Sequence, residues 1–148
     1  MKEREVLIDI HSIHAYDQED TDSLDFTTDG LYRYEDGVGL LRYWESEVTG
    51  MPGTQTRVEI SPESVVVGRI GMVNSRMEFR EGLKSFFPYE TPYGQATLGM
   101  DTRHICSRFN EHGGDMELDY VLNLEHMVAI RNKFRIRVTL PNSEERHS

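Results

Sequence analysis

The sequence predicts an all-β fold: a closed antiparallel up-and-down meander barrel of about eight to ten strands. Apolar and polar residues alternate with a period of two along most of the chain. Glycine-rich breaks recur at strand spacing, and no stretch carries a helical stripe. Because so many strands in a short chain must protect their edges, we expect closure into a barrel, with a two-sheet sandwich as the main alternative.

The first half of the chain contains five predicted strands. In the first strand, Val6, Ile8 and Ile10 alternate with their neighbours. Gly37-Val38-Gly39 marks a turn, since glycine tolerates positive φ, and Thr49 to Thr54 form a loop rich in turn residues. The five strands are predicted at residues 6–11, 24–34, 40–48, 56–60 and 65–71.

The second half continues the pattern. Gly82 ends a sixth strand, and residues 84–89 are either a short strand or an irregular crossing. Thr91-Pro92-Tyr93-Gly94 has proline second and glycine fourth, which is typical of a type I turn. The remaining strands are predicted at residues 76–80, 96–109, 116–124 and 134–140. We expect one domain over residues 1–141 and a disordered polar tail at 142–148.

The overall charge argues against nucleic-acid binding. The 148 residues include 26 acidic and 16 basic side chains, for a formal net charge of −10. Such a chain repels polyanions, and binding them would require a basic stripe. The nearest approach to a stripe is a run at spacing two, which we interpret as the solvent face of one strand. These residues are Arg131, Lys133, Arg135 and Arg137.

The single cysteine and the N-terminal sequence bear on the cellular location of the protein. Cys106 cannot form an intrachain disulfide, which suits a reducing cytoplasm. Acidic residues interrupt the N-terminal segment, and no apolar run approaches membrane-spanning length. We therefore expect a cytoplasmic protein without a signal peptide or a membrane span.

The spacing of the histidines and acidic residues predicts no metal or cofactor site. His11 and His14 are three apart, which places them on opposite faces of a strand. The acidic run at 17–25 lacks the internal glycine of a calcium loop and is interpreted as a solvated connection. His104 and Cys106 share one face with Thr102, at the end of an apolar inner face formed by Leu98 and Met100, but two ligands are too few for zinc. A small buried thiol is favoured over a nucleophilic Cys106.

Whether the Arg69 side chain points into the barrel or to solvent depends on which face of its strand is inside, and this affects its possible function. Arg69 shares a face with Val65 and Val67. If that face points inward, the guanidinium needs an acidic partner or an anionic ligand. If the other face, with Val66 and Ile70, points inward, Arg69 is merely exposed.

Several segments together resemble a bacterial family of unknown function, the YwiB-like proteins. They are Tyr43 to Thr54, Gly68 to Gly71 with Met77 to Gly82, and Tyr89 to Gly94. The resemblance extends over nearly the whole chain. It implies a calycin-like, or lipocalin-like, meander barrel with a lumen. It implies no catalytic residues, since the family has no established activity, and a shared fold does not establish a shared function.

The favoured functional hypothesis is a binding module for a small, partly apolar or anionic ligand in the lumen or mouth. A filled barrel that acts as a protein-interaction module, with a basic partner or a second copy, is the alternative. An enzyme is the least favoured reading and would require Arg69 and His104 to converge in one pocket. The residues assigned to the ligand are Arg69, Met77, Phe79, Met100, His104 and Tyr120.

Overall fold

A computed structural model describes residues 2–15, 21–71, 74–91, 94–124 and 128–141, and in these ranges the chain forms ten antiparallel strands. The all-β prediction is confirmed, and the segment left open at 84–89 is a strand. The strands are β1 (Arg4–Ala15), β2 (Thr21–Glu35), β3 (Val38–Trp44), β4 (Gln55–Ile60), β5 (Ser64–Ile70), β6 (Ser75–Arg80), β7 (Lys84–Thr91), β8 (Gly94–Asn110), β9 (Gly113–Leu124) and β10 (Val128–Thr139).

The strands follow one another in a single sheet with the order β6-β5-β4-β3-β2-β1-β10-β9-β8-β7. Consecutive strands pair with each other except β6 and β7, which lie at the two ends of the sheet, and the first strand also pairs with the last. The predicted meander is therefore confirmed. The turn between β6 and β7 bridges the remaining gap. Gly82 N–H donates to the Thr102 carbonyl at 3.0 Å, and Thr102 N–H donates to the Leu83 carbonyl at 3.1 Å. The barrel is therefore nearly closed.

A β-bulge in β8 changes which side chains face the lumen. The register between β8 and β9 shifts between Thr102 and His104, and the inserted residue reverses the faces that follow it. Thr102 and Ile105 are both buried. The prediction that His104 and Cys106 share the inner face of Thr102 is therefore wrong, and both lie on the outer face.

Two local elements differ from the sequence prediction. The third strand ends at Trp44 instead of Val48, because Ser46 caps a short 3₁₀ turn at Glu47–Thr49. The β2–β3 turn is formed by Asp36 and Gly37, with φ of 53° and 81°, and not by residues 37–39. Positive φ at both central residues is the geometry that joins two strands tightly.

The middle of the lumen is filled with side chains. Tyr32 plugs one end, where its hydroxyl donates to the Asn110 carbonyl at 2.6 Å and its ring lies 5.9 Å from that of Phe109. The question of a full or hollow barrel is thus answered for the centre and for this end. The buried apolar residues are Val6, Ile8, Ile10, Tyr32, Leu41, Tyr43, Val58, Ile60, Val65, Val67, Phe79, Met100, Ile105, Met116, Leu118, Ile136 and Val138.

The outer surface carries the charges. The four basic residues at spacing two on β10 are exposed, as predicted. Residues 17–20 of the acidic run, positions 92 and 93 of the predicted type I turn, and the tail at 142–148 lie outside the described residues. In the part of the chain that the structure describes, no helix is long and apolar enough to span a bilayer.

Candidate functional site

A cavity of about 250 Å³ lies at the end of the barrel opposite Tyr32. Side chains from β1, β2, β3, β5, β9 and β10 line it, together with the loop that joins β3 to β4. One part of the lining is polar and includes three charged residues, Glu45, Arg69 and Lys133. The other part is apolar and contains Leu24, Phe26 and Phe134.

Glu45 is the buried acid of this cavity. It continues the inward face of Leu41 and Tyr43 just beyond β3, and 2% of its side chain is exposed. The Thr49 hydroxyl donates to Glu45 Oε1 at 2.8 Å, and the Thr56 hydroxyl donates to Oε2. Both side-chain oxygens of Glu45 therefore accept a hydrogen bond from a threonine hydroxyl.

Arg69 faces the same cavity, which answers the question of its register. Its side chain is 21% exposed, and its Nε lies 3.9 Å from Glu45 Oε2. Thr56 pairs with Arg69 across β4 and β5, and its hydroxyl donates to Glu45, so both charged residues lie next to Thr56. Arg69 Nε is buried and has no hydrogen-bond partner among the described residues. The ion pair is therefore long and leaves this donor unused.

Two tyrosines at the cavity remain neutral phenols. Burial raises the pKa of Tyr43, the Glu45 carboxylate raises it further, and the Arg69 cation acts in the opposite direction. Burial also raises the pKa of Tyr120, again opposed by Arg69. The Tyr120 ring packs on Phe79 with 4.8 Å between the ring centroids. A neutral phenol can donate or accept a hydrogen bond.

Asn132 supplies the cavity with an amide. The residue is 3% exposed, and its Nδ2 donates to the Ile130 carbonyl at 3.1 Å. Its Oδ1 is buried and lacks a hydrogen-bond partner within the described ranges. Asn132 pairs with His14 on one side and Tyr120 on the other. Since the amide nitrogen is held by the backbone, the oxygen is left as an acceptor.

The sequence-predicted ligand residues separate into cavity and core. Arg69 and Tyr120 line the cavity. Phe79 supports the Tyr120 ring but is itself 1% exposed, and Met77 is a partly buried neighbour of the core. Met100 is 2% exposed and belongs to the filled core. Phe79 and Met100 are thus buried residues that do not line this cavity.

His104 is not part of the cavity. Its side chain is 60% exposed on the outer face, where Nδ1 lies 3.2 Å from a carboxylate oxygen of Glu81. That carboxylate also accepts the Ile105 N–H at 2.9 Å. The proposal of an enzyme site needed Arg69 and His104 in one pocket. The bulge in β8 places them on opposite faces of the sheet, so this pairing is wrong.

Glu45, Tyr43 and Asn132 were not predicted as site residues. Their signal is present in the sequence, since each interrupts or ends an inward face that is otherwise apolar. Glu45 follows Leu41 and Tyr43 at spacing two. Asn132 precedes Phe134 and Ile136 in the same way. A polar residue in phase with a buried face is the feature that identifies such a site.

A second polar cluster lies on the outer face of β1, β2 and β10. His11 bonds to Asp25 there, and the Thr27 hydroxyl donates to Asp9 at 2.6 Å. His14 lies on the cavity side, as the spacing of the two histidines predicts. Across the described ranges, His, Cys, Asp and Glu form no group of three that could hold a metal ion. Exposed cross-strand pairs such as these contribute little to stability.

Comparisons with known proteins agree on one family. The chain is 27% identical over 101 residues to the uncharacterized β-barrel protein YwiB of Bacillus subtilis, which covers 68% of this chain and 70% of that protein. The crystal structure of YwiB from Bacillus subtilis matches with a TM-score of 0.72 at 21% identity, and the match covers 91% of this chain and 92% of that one. The family described as "Domain of unknown function (DUF1934)" matches residues 8–136. The chain therefore belongs to the DUF1934 family.

Proposed function

We propose that this barrel is a binding module for a small, partly apolar molecule, which it holds in the cavity between Glu45, Arg69 and Phe134. The observation that carries the proposal is the buried Glu45–Arg69 pair beside apolar side chains in a cavity of about 250 Å³. Ligand sites characteristically combine an apolar lining with a few converging polar groups.

Stability alone gives a poor account of this lining. Taking a carboxylate and a guanidinium out of water costs several kcal/mol per ion, and well-packed apolar residues are often equal or better in such positions. The Glu45–Arg69 contact at 3.9 Å is also too long for a strong hydrogen bond. Polar groups that weaken the folded state are expected where function requires them. A binding role explains why the cavity keeps them.

The size of the cavity restricts the ligand. Its volume of about 250 Å³ is below the roughly 300–1,000 Å³ of pockets for drug-sized ligands. At ~30 Å³ for each molecule in the liquid, the same space corresponds to about eight waters. Core side chains fill the lumen beneath the cavity, among them Ile10 and Leu118. The proposed ligand is therefore compact and does not extend along the barrel.

A fragment library followed by ¹⁵N chemical shifts tests the proposal. We expect binding to shift the backbone amides of Tyr43, Arg69 and Asn132. At a ligand concentration of about 100 Kd, linkage stabilises the fold by ~2.7 kcal/mol, which raises Tm by about 5–10 °C.

A matched pair of arginine variants provides the control. Arg69→Met should abolish the response, whereas Arg57→Met should leave it intact, because Arg57 lies on the outer face of β4 and contacts Gln55. If no fragment moves the cavity amides, or if both variants respond alike, the cavity is not a ligand site.

A further inference from the structure

We infer that the cavity selects a compact monocarboxylate that also carries a hydrogen-bond donor, with the carboxylate on Arg69 and the donor on Asn132 Oδ1. This inference rests on the proposed binding function and specifies the chemistry of the ligand. It follows from two buried polar groups whose hydrogen-bonding capacity the described residues leave unused, Arg69 Nε and Asn132 Oδ1.

Arg69 provides the anion-recognising group. A guanidinium offers a planar fork of N–H donors that matches a carboxylate in two parallel hydrogen bonds. Glu45 does not fill this role, because its Oε2 is 3.9 Å from Nε. Threonine hydroxyls already donate to both Glu45 oxygens. Arg69 is thus held near a charge partner that does not use its donors fully.

Glu45 limits the charge of the ligand. Its carboxylate is buried beside Arg69, so it neutralises much of the guanidinium charge before any ligand binds. Lys133, an exposed residue of the lining, is the other cation there. One carboxylate on the ligand balances the net charge of Arg69, Lys133 and Glu45, whereas a second negative charge would face Glu45 at low dielectric without a further cation to compensate for it. The arrangement therefore favours a monocarboxylate over a dicarboxylate or a phosphate.

Asn132 Oδ1 is the atom that accepts a hydrogen bond from the ligand's donor. Its amide nitrogen is anchored to the Ile130 carbonyl, which directs the oxygen away from that backbone contact. A buried acceptor without a partner carries a desolvation cost that a ligand hydroxyl or N–H would relieve. An analogue that lacks the donor leaves this cost in place, so the site discriminates against it.

The apolar part of the lining receives the hydrocarbon body. Leu24, Phe26 and Phe134 line the cavity and are partly buried. Their side chains complete a site with a charged contact, a neutral polar contact and an apolar contact. A hydroxy acid with a short branched or aromatic body satisfies all three.

Matched sets of three compounds test each contact on the unmodified protein. Mandelate carries the carboxylate and the donor, phenylacetate lacks the donor, and mandelamide lacks the charge; lactate, propionate and lactamide form the aliphatic set. Dissociation constants come from the shifts of the cavity amides. In whichever set binds, we expect the hydroxy acid to bind tightest, with each analogue at least about tenfold weaker.

Two variants assign the contacts to residues. In Arg69→Met, the hydroxy acid and its amide should bind equally weakly. In Asn132→Leu, the hydroxy acid and its deoxy analogue should bind equally. Arg57→Met should preserve both differences. Since the comparison of ligands on the unmodified protein does not depend on the variants, poor folding of either one leaves the main test intact.

The outcomes separate the inference from the proposed function. If neutral members bind as tightly as carboxylates, or if neutral fragments are the only binders, the inference is overturned while the binding function stands. If analogues with and without the donor bind equally to the unmodified protein, the role of Asn132 is overturned. If no compound or library fragment binds, both the inference and the binding function fail.

Discussion

The destabilisations caused by replacing Glu45 and Arg69 one at a time should add up to more than the destabilisation caused by replacing both, because the two side chains form an ion pair. Two unit charges about 4 Å apart attract each other by ~4 kcal/mol at an effective dielectric constant of 20. Arg69 is 21% exposed, so water weakens this attraction, and we expect a coupling free energy of about 1–3 kcal/mol.

The two single replacements should have unequal costs. Arg69→Met leaves a carboxylate that is 2% exposed without its cation, and breaking a buried pair in this way typically costs about 3–5 kcal/mol. The hydroxyls of Thr49 and Thr56 offset part of that cost, so we expect the lower end. Glu45→Gln should cost about 1–2 kcal/mol, because Arg69 can still reach water. The double variant should cost less than the sum of the two single variants by the coupling free energy of about 1–3 kcal/mol.

Urea unfolding followed by circular dichroism measures these free energies in a double-mutant cycle. Equal m values across the four proteins would show that the comparison concerns the folded states. Arg57→Met, on the outer face, should change stability by less than about 0.5 kcal/mol. If the two single effects add to the double effect within about 0.5 kcal/mol, the residues do not interact and the reasoning is refuted.

Three further predictions concern the loop packing, the barrel closure and the buried phenols. Gly71→Ala should destabilise the fold by at least ~1 kcal/mol, since φ is 141° and a Cβ would lie 2.6 Å from the Gly53 carbonyl oxygen; unchanged thermal unfolding would contradict this. Glu81→Gln should speed amide hydrogen exchange at Ile105, whose N–H the carboxylate accepts, without comparable change in β1. Folding raises the pKa values of Tyr43 and Tyr120 above their ordinary value, so their stability contribution is present below about pH 10 and declines as pH rises through the folded-state values. Phenolate absorbance that titrates near pH 10 for every tyrosine would contradict the last prediction.

Alternation predicted most of the fold because it records the inner and outer faces of each strand directly. Ile8 and Ile10 on β1, and Val65 and Val67 on β5, are buried as their spacing requires. The same pattern placed Arg69 on the face of the two valines, although it could not say which face was inside. The two valines lie inside because the barrel closes around that face. Closure involves all the strands, so the sequence of one strand does not reveal it.

The β8 bulge was hidden from the sequence for a physical reason. No glycine or proline occurs between Asp101 and Ile105. The alternation in the sequence therefore places His104 on the same face as Thr102. What creates the bulge is tertiary: the turn after β6 exchanges hydrogen bonds with Thr102, and Glu81 accepts the Ile105 N–H. A single inserted residue then moves His104 outside. The alternation within one strand carries no information about contacts with a segment some twenty residues away in the sequence.

The β3–β4 loop shows that a turn motif can position a chemical group as well as a backbone. From the sequence, Thr49 to Thr54 were interpreted as a loop rich in turn residues and not as part of a site. In the structure, Gly50 and Gly53 have φ of 77° and 82°, and the loop folds back so that Glu45 N–H donates to the Thr54 carbonyl at 2.7 Å. The same fold-back brings the Thr49 hydroxyl to the Glu45 carboxylate. The backbone geometry of this turn thus buries the acid that faces Arg69.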